Sequence, residues 1–175
     1  IVLSIIIFIF TIIKHAYFNL VDNNTDIKID DITLQEKYQN FIQEHKMDLN
    51  ILDEKQCTKL GIYKNIAISL LKYRDLLGGF VSFEQLSEVK SINEPTIKVL
   101  KEFTYIDVDY HPRQLDINND DFKTLLRHPY LNFEDVKNIC NYRKFEKIKN
   151  IETLEKEKIL KMETIKKIEP YLKFC

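Results

Sequence analysis

LGIYKNIAISLLKYRDLLGGFVSFEQL, residues 60–86, reads as helices joined by short breaks. Gly61-Ile62-Tyr63 turns the chain between a helix spanning Leu52 to Leu60 and a second running from Asn65 to Arg74. Gly78-Gly79 ends that second helix. Ser82-Phe83-Glu84-Gln85 then has the form of a capping box, a Ser followed three residues later by Gln, opening a helix that reaches about Lys90. Asn93 is placed to cap the next helix, with Pro95 tolerated in its first turn.

Working outward, the same succession returns further along. Asp48-Leu49-Asn50 recurs as Asp116-Ile117-Asn118, 68 residues on, and Leu86, Ile92, Ile97 and Leu100 recur at that spacing as Leu154, Leu160, Ile165 and Ile168. LLKYR, ending at Arg74, answers ICNYR, ending at Arg143, one residue out of step. A slip that later cancels is what a turn of variable length produces between fixed helices. One supersecondary unit therefore appears twice, and function is expected from the pair. In the second copy Asn119 is expected to cap a helix, with Asp120 and Asp121 near its positive end. Pro129-Tyr130-Leu131-Asn132 makes the turn, and helices follow over Phe133 to Phe145, Ile151 to about Lys158, and Glu163 to Glu169. No segment has a strand period, so the expected fold class is all-α.

Composition agrees. The 175 residues include only 3 Gly and 4 Pro, which favours helices and short connections. Three Cys without close pairing make neither a disulfide framework nor a zinc site; Cys57 and Cys140 fall at apolar positions and read as small core residues. Residues 1–13, IVLSIIIFIFTII, carry no charge. Thirteen helical residues span about 20 Å, short of a hydrocarbon core of about 30 Å. The chain opens on Ile rather than Met, so the run is expected to begin upstream; it also continues through Ala16-Tyr17-Phe18 to Val21, with Lys14 snorkelling. An uncleaved membrane anchor over 1–21 is the expectation, favoured over a buried core helix. The scarcity of Lys and Arg after it favours export, so the remainder is expected outside the cytoplasm. Residues 22–46 then read as a polar, acidic linker followed by a short amphipathic helix. Leu34, Tyr38, Phe41 and Ile42 share one face of that helix, after a capping box at Thr33. The two repeats occupy 47–110 and 111–175.

Leu60-Gly61-Ile62-Tyr63-Lys64-Asn65-Ile66-Ala67 resembles a helix-hairpin-helix motif, whose usual form is hydrophobic, Gly, hydrophobic, Gly, three residues, Ala. Its physical logic is anion capture: N–H groups at the second helix's start face outward, the helix dipole favours negative charge there, and the central apolar residue plugs the hairpin into the core. Over about residues 47–173 the chain is similar to the tandem helix-hairpin-helix domain of ComEA-like competence DNA receptors. It is closer still to the membrane-anchored helix-hairpin-helix proteins of Bacteroidetes, which commonly carry HPY in the second hairpin and YR at the end of its helix. The resemblance implies sequence-nonspecific binding of double-stranded DNA, paired hairpins meeting the two strands across the minor groove, a role at the envelope such as DNA uptake, and no catalysis, cofactor, metal or small-molecule substrate. The residues it points to are Gly61, Tyr63, Lys64 and Asn65, with Leu131 and Asn132 from the second hairpin and Lys59 and Arg127 beside them. Gly61, Lys64, Asn65 and Asn132 are the expected contacts, and Leu131 the expected plug.

Departures from the motif bear on function more than on fold. Tyr63 replaces the second glycine of the first hairpin. In the second hairpin Tyr130 and Asn132 stand at both glycine positions, Pro129 lends no N–H, and His128 sits where a hydrophobic residue belongs. Charge is nearly balanced: residues 47–110 hold 8 Lys and Arg against 10 Asp and Glu, a net of −2, and residues 111–175 hold 14 against 11, a net of +3. A dedicated DNA-binding domain usually shows a clear basic face. If four phosphates were met, log K would fall with log salt at a slope of about −3.6, and binding at physiological salt would sit near a Kd of about 10⁻⁴ M. The alternative expectation is an envelope scaffold or protein-interaction module that keeps the fold without binding DNA. Other patterns are structural: Tyr73-Arg74 and Tyr142-Arg143 suit helix ends, and Asp116, Asn118 and Asp120 have calcium-loop spacing but lack the Gly at position six and the Glu at position twelve. The four scattered His residues offer no ligand pair.

Overall fold

The structure, a computed structural model, describes residues 46–175 and, ahead of them, Glu36, Gln39, Asn40, Ile42 and Gln43. Those five are helical, with Ile42 buried and the other four exposed. The expected membrane anchor, the linker and the rest of the amphipathic helix lie outside the described residues. Among the described residues no helix is long and apolar enough to cross a membrane.

The described chain is mostly helical, as its composition predicts, with four two-residue strands that the sequence did not announce. It divides by contacts into two compact units, one holding the described residues up to Ile68 together with Ser91–Tyr105, the other Ser69–Lys90 with Ile106–Cys175.

In the first unit, strand β1 (Met47–Asp48) pairs in parallel with β2 (Thr104–Tyr105), Met47 opposite Thr104. The Leu49 N–H extends the ladder to the Tyr105 carbonyl at 2.8 Å. Asp48 Oδ1 accepts from the Asn50 N–H at 2.9 Å and bends the chain into a turn. Asp53 caps helix α1 (Glu54–Lys59). Its carboxylate takes the Gln56 N–H at 2.7 Å while the Gln56 side chain takes the Asp53 N–H at 2.8 Å, so the helix starts two residues later than Leu52 would place it. Helix α2 (Lys64–Leu77) begins in this unit and runs three residues past Arg74. Asn93 caps α3 (Glu94–Phe103) as expected, and that helix buries Ile97, Leu100 and Phe103 on one face. Cys57 is fully buried, as a small core residue should be.

In the second unit the remainder of α2 ends at Gly78-Gly79, both at positive φ. A Cβ on Gly79 would run into the Tyr110 ring, so the close approach requires glycine. The segment Phe83–Glu88 is a 3-10 helix rather than the expected α-helix. Strand β3 (Leu115–Asp116) pairs in parallel with β4 (Leu172–Lys173). Between them lie α4 (Phe122–Leu126), α5 (Phe133–Tyr142), α6 (Ile151–Lys156) and α7 (Met162–Ile168), the last running into a 3-10 turn at Glu169–Tyr171.

Asp121, not Asn119, caps α4, accepting the Thr124 N–H at 2.6 Å. Asn119 is occupied elsewhere: its backbone and side-chain N–H groups both donate to Asp116, and Asp120 takes the Asp116 N–H. Helix α5 stops at Tyr142, whose carbonyl takes the Phe145 and Glu146 N–H groups in a closing turn, leaving Phe145 almost fully exposed. Asn118 bridges back to the chain at Ile148, accepting its N–H and donating to its carbonyl, both at 2.9 Å. Arg143 donates to the Ile117 carbonyl at 3.0 Å. The recurring Asp-x-Asn and Tyr-Arg pairs thus have structural work in this unit.

Candidate nucleic-acid interface

The first hairpin joins α1 to α2. Gly61 takes φ +81°, with open space where a side chain would stand. Its N–H donates to the Thr58 carbonyl at 3.1 Å and that of Ile62 to the Cys57 carbonyl at 3.1 Å, which closes the end of α1. The Gly61 amide is therefore spent inside the hairpin, and the residue's part is to let the chain turn. Ile62 is buried as the plug of this hairpin. Tyr63 is 76% exposed, and its carbonyl accepts the N–H groups of Ile66 and Ala67, so it stands at the threshold of α2. Lys59, Lys64 and Asn65 are exposed around this turn. The Lys64 ammonium lies 2.9 Å from Glu54, an exposed pair that costs little to break. The fourteen-residue α2 starts at Lys64, and its dipole places partial positive charge at this turn.

The second hairpin joins α4 to α5 and is closed differently. Leu131 is buried, as a plug should be. Asn132 caps α5, accepting the Asp135 N–H at 3.0 Å, while its own N–H donates to the Asp135 carboxylate at 3.1 Å. This reciprocal capping box uses the Asn132 and Asp135 amides, two of the donors that a phosphate at this helix start would meet. It also puts a buried carboxylate where the anion would sit. Arg127 ends α4 and is exposed. Each hairpin gathers its own expected residues, but Asn132 is a capping group already satisfied by the protein.

Tyr130, where the motif has a glycine, does not take positive φ, so no glycine is needed there. Its hydroxyl donates to Glu88 Oε2 at 2.7 Å and accepts from Gln85 at 2.9 Å. Tyr73 donates to the same Glu88 oxygen at 2.8 Å, and Lys167 reaches the other at 2.8 Å while lying 5.4 Å above the Tyr130 ring. Gln85 also donates to Tyr171, which donates to the Gly79 carbonyl at 2.9 Å. Burial opposes the Glu88 charge, but the hydrogen bonds from Lys167, Tyr130 and Tyr73 outweigh it and hold the carboxyl below its usual range. Burial, then the neighbouring Glu88, push the Tyr73 and Tyr130 hydroxyls well above theirs, and burial takes Tyr171 up to about 12. Hydroxyls so held act as donors, and the cluster ties distant segments of the unit together. Its members are far apart in sequence, and no short motif announces it.

His128, at the hydrophobic position of the second hairpin, is buried like the residue it replaces. Its Nε2 lies 3.1 Å from the Leu77 carbonyl and its Nδ1 accepts the Tyr130 N–H at 3.3 Å, with the Tyr171 ring 5.1 Å away. Burial, reinforced by the Arg113 charge, lowers its pKa to about 4 against the pull of the Leu77 carbonyl. Among the described residues no group of His, Cys, Asp and Glu is arranged to hold a metal ion. Compared with known proteins, the chain matches no family model, no curated protein and no solved structure.

Proposed function

We propose that the chain is a tandem helix-hairpin-helix protein, tethered to a membrane by its apolar N-terminal segment, that holds the sugar–phosphate backbone of double-stranded DNA outside the cytoplasm without reading its sequence, as in DNA uptake. Element order supports the duplication. Residues 47–105 and 115–173 each run from a two-residue strand through a helix, a hairpin, a longer helix and two further helical segments to a strand that pairs in parallel with the first.

The observation that carries the DNA reading is the first hairpin. It combines Gly61 at positive φ, a buried Ile62 and an exposed Tyr63-Lys64-Asn65 at the head of α2. A helix start with its dipole and a neighbouring ammonium attracts phosphate and carries no base code. The test is fluorescence anisotropy of a labelled duplex titrated with the full chain in neutral detergent. At about 50 mM salt and about 100 μM protein, binding indifferent to sequence is expected. No change in anisotropy sinks the reading.

A second reading is favoured by the second hairpin, where the capping box of Asn132 and Asp135 takes up two amides and Tyr130 is tied to Glu88. An envelope scaffold that kept the fold would look the same. On that reading Lys64→Glu leaves DNA behaviour unchanged and purification from membranes recovers a specific protein partner; on the DNA reading Lys64→Glu weakens duplex binding several-fold.

A further inference from the structure

Beside the second hairpin, on the side of Arg127 rather than of the capped amides, lies a cleft of about 360 Å³. That volume is at the small end of the range for ligand sites, about 300–1,000 Å³. Arg113, Arg127, His128 and Thr124 line it together with Leu76, Leu77 and Leu115. The two charged groups in this lining are both guanidinium ions. Arg113 is anchored, with its Nη2 donating to the Asp75 carbonyl at 2.7 Å and its backbone N–H to the Gly78 carbonyl at 2.9 Å. One donor of five is used, and the rest of the fork remains. The Arg127 guanidinium makes no hydrogen bond among the described residues; Asp121 senses its charge but is taken up by the Thr124 N–H and hydroxyl. His128 contributes a neutral, buried wall.

We propose that this cleft holds a backbone phosphodiester of DNA, so that the second hairpin contacts the duplex through Arg113 and Arg127 instead of through its own amides. The inference rests on the proposed function and changes which residues perform it. Two guanidinium forks facing one cleft without a lining carboxylate favour an anion, and planar forks suit phosphate oxygens. Leu76, exposed beside the buried Leu77 and Leu115, gives the cleft an apolar wall. A phosphodiester brings such a wall the apolar face of its deoxyribose, which a bare inorganic ion does not. Asp135 repels an anion at the Asn132 amide, so beside this hairpin the arginines offer the better seat.

The experiment has two arms on the full chain in detergent. The first measures duplex affinity and its salt dependence for wild type, Arg113→Gln, Arg127→Gln and, as a charge-matched control, Lys149→Gln, whose ammonium pairs with Glu146 outside the cleft. Each arginine variant is expected to weaken binding about tenfold and to flatten the salt slope by about 0.9, the value of one phosphate. The second follows the arginine Nε–H signals by NMR as a thymidine dinucleotide is added, with inorganic phosphate in parallel. Saturable shifts at Arg113 and Arg127, stronger with the dinucleotide, are expected. If the duplex fails to bind while these signals saturate, the cleft is a phosphodiester site but not a duplex contact, and the proposed function falls with that part of the inference. If the duplex binds but the arginine variants match Lys149→Gln and the signals stay still, the cleft is overturned and the function survives. Silence in both arms overturns both.

Discussion

At the scale of single residues, His128 couples stability to pH. Its ring fits one tautomer, Nε2–H donating to the Leu77 carbonyl and Nδ1 accepting from Tyr130. A second proton on Nδ1 would face the Tyr130 N–H and bury a charge. Its folded pKa of about 4 lies below the ordinary 6.5, so the unfolded chain takes the proton first. The stability is complete above pH 6.5 and drains away as pH falls towards 4, by up to roughly 3 kcal/mol. Thermal melts should show Tm dropping between pH 7 and pH 5 by several degrees, and a flat Tm across that window would refute the assignment. Glu88 is the other residue that invites a test. Glu88→Ala leaves the half-buried Tyr73 and Tyr130 hydroxyls without their acceptor and should cost about 1–3 kcal/mol in denaturant unfolding. Glu88→Gln restores an acceptor and should cost less. Equal losses in the two variants would show that the hydroxyl bonds contribute little. The sequence marks His128 as a departure from the hydrophobic pattern and so points to a buried position. It cannot reveal that Tyr73, Glu88, Tyr130 and Tyr171 converge, because the convergence is made by packing between distant segments.

At the scale of elements, what is legible depends on whether a signal is longer than the structure it specifies. The helices are readable because their apolar faces repeat over several turns and their caps are chemically distinct, as Asn93 shows. The strands were not, since a period of two cannot be expressed in two residues. Asn119-Asp120-Asp121 offered three competent caps in a row, and the choice fell to Asp121 because the Asp116 loop had engaged the other two. The hairpins divide the same way: Gly61 and the plugs Ile62 and Leu131 follow from the motif, whereas the closure of the second hairpin by Asp135 depends on side-chain reach. Two substitutions separate turn geometry from capping. Gly61→Ala meets no clash but must keep φ +81°, at about 1 kcal/mol; it should lower duplex affinity only as far as the hairpin shifts. Asn132→Ala removes the cap of α5, at about 1 kcal/mol, and should leave duplex affinity unchanged at saturating fold stability. A large affinity loss in Asn132→Ala would return the second hairpin's amides to the interface.

For the whole molecule the governing quantity is charge. The chain carries 26 Lys and Arg against 27 Asp and Glu, so long-range attraction to a polyanion is nearly absent and binding must come from contacts a Debye length or less away. Any duplex affinity is therefore local, and two conditions should tune it together. Raising salt should weaken binding with a log–log slope near −3.6 if four phosphates are met. Lowering pH at constant low salt should strengthen it, because the net charge crosses zero at a sequence isoelectric point of about 6.5 and turns positive below it. The two trends meet the acid lability of His128, so affinity should climb from pH 7.5 to about pH 6 and then collapse as the fold is lost. Anisotropy titrations across that grid, with circular dichroism on the same samples, separate the terms: a salt slope near zero, or affinity indifferent to pH while the helical signal holds, means that phosphate is not what the protein grips.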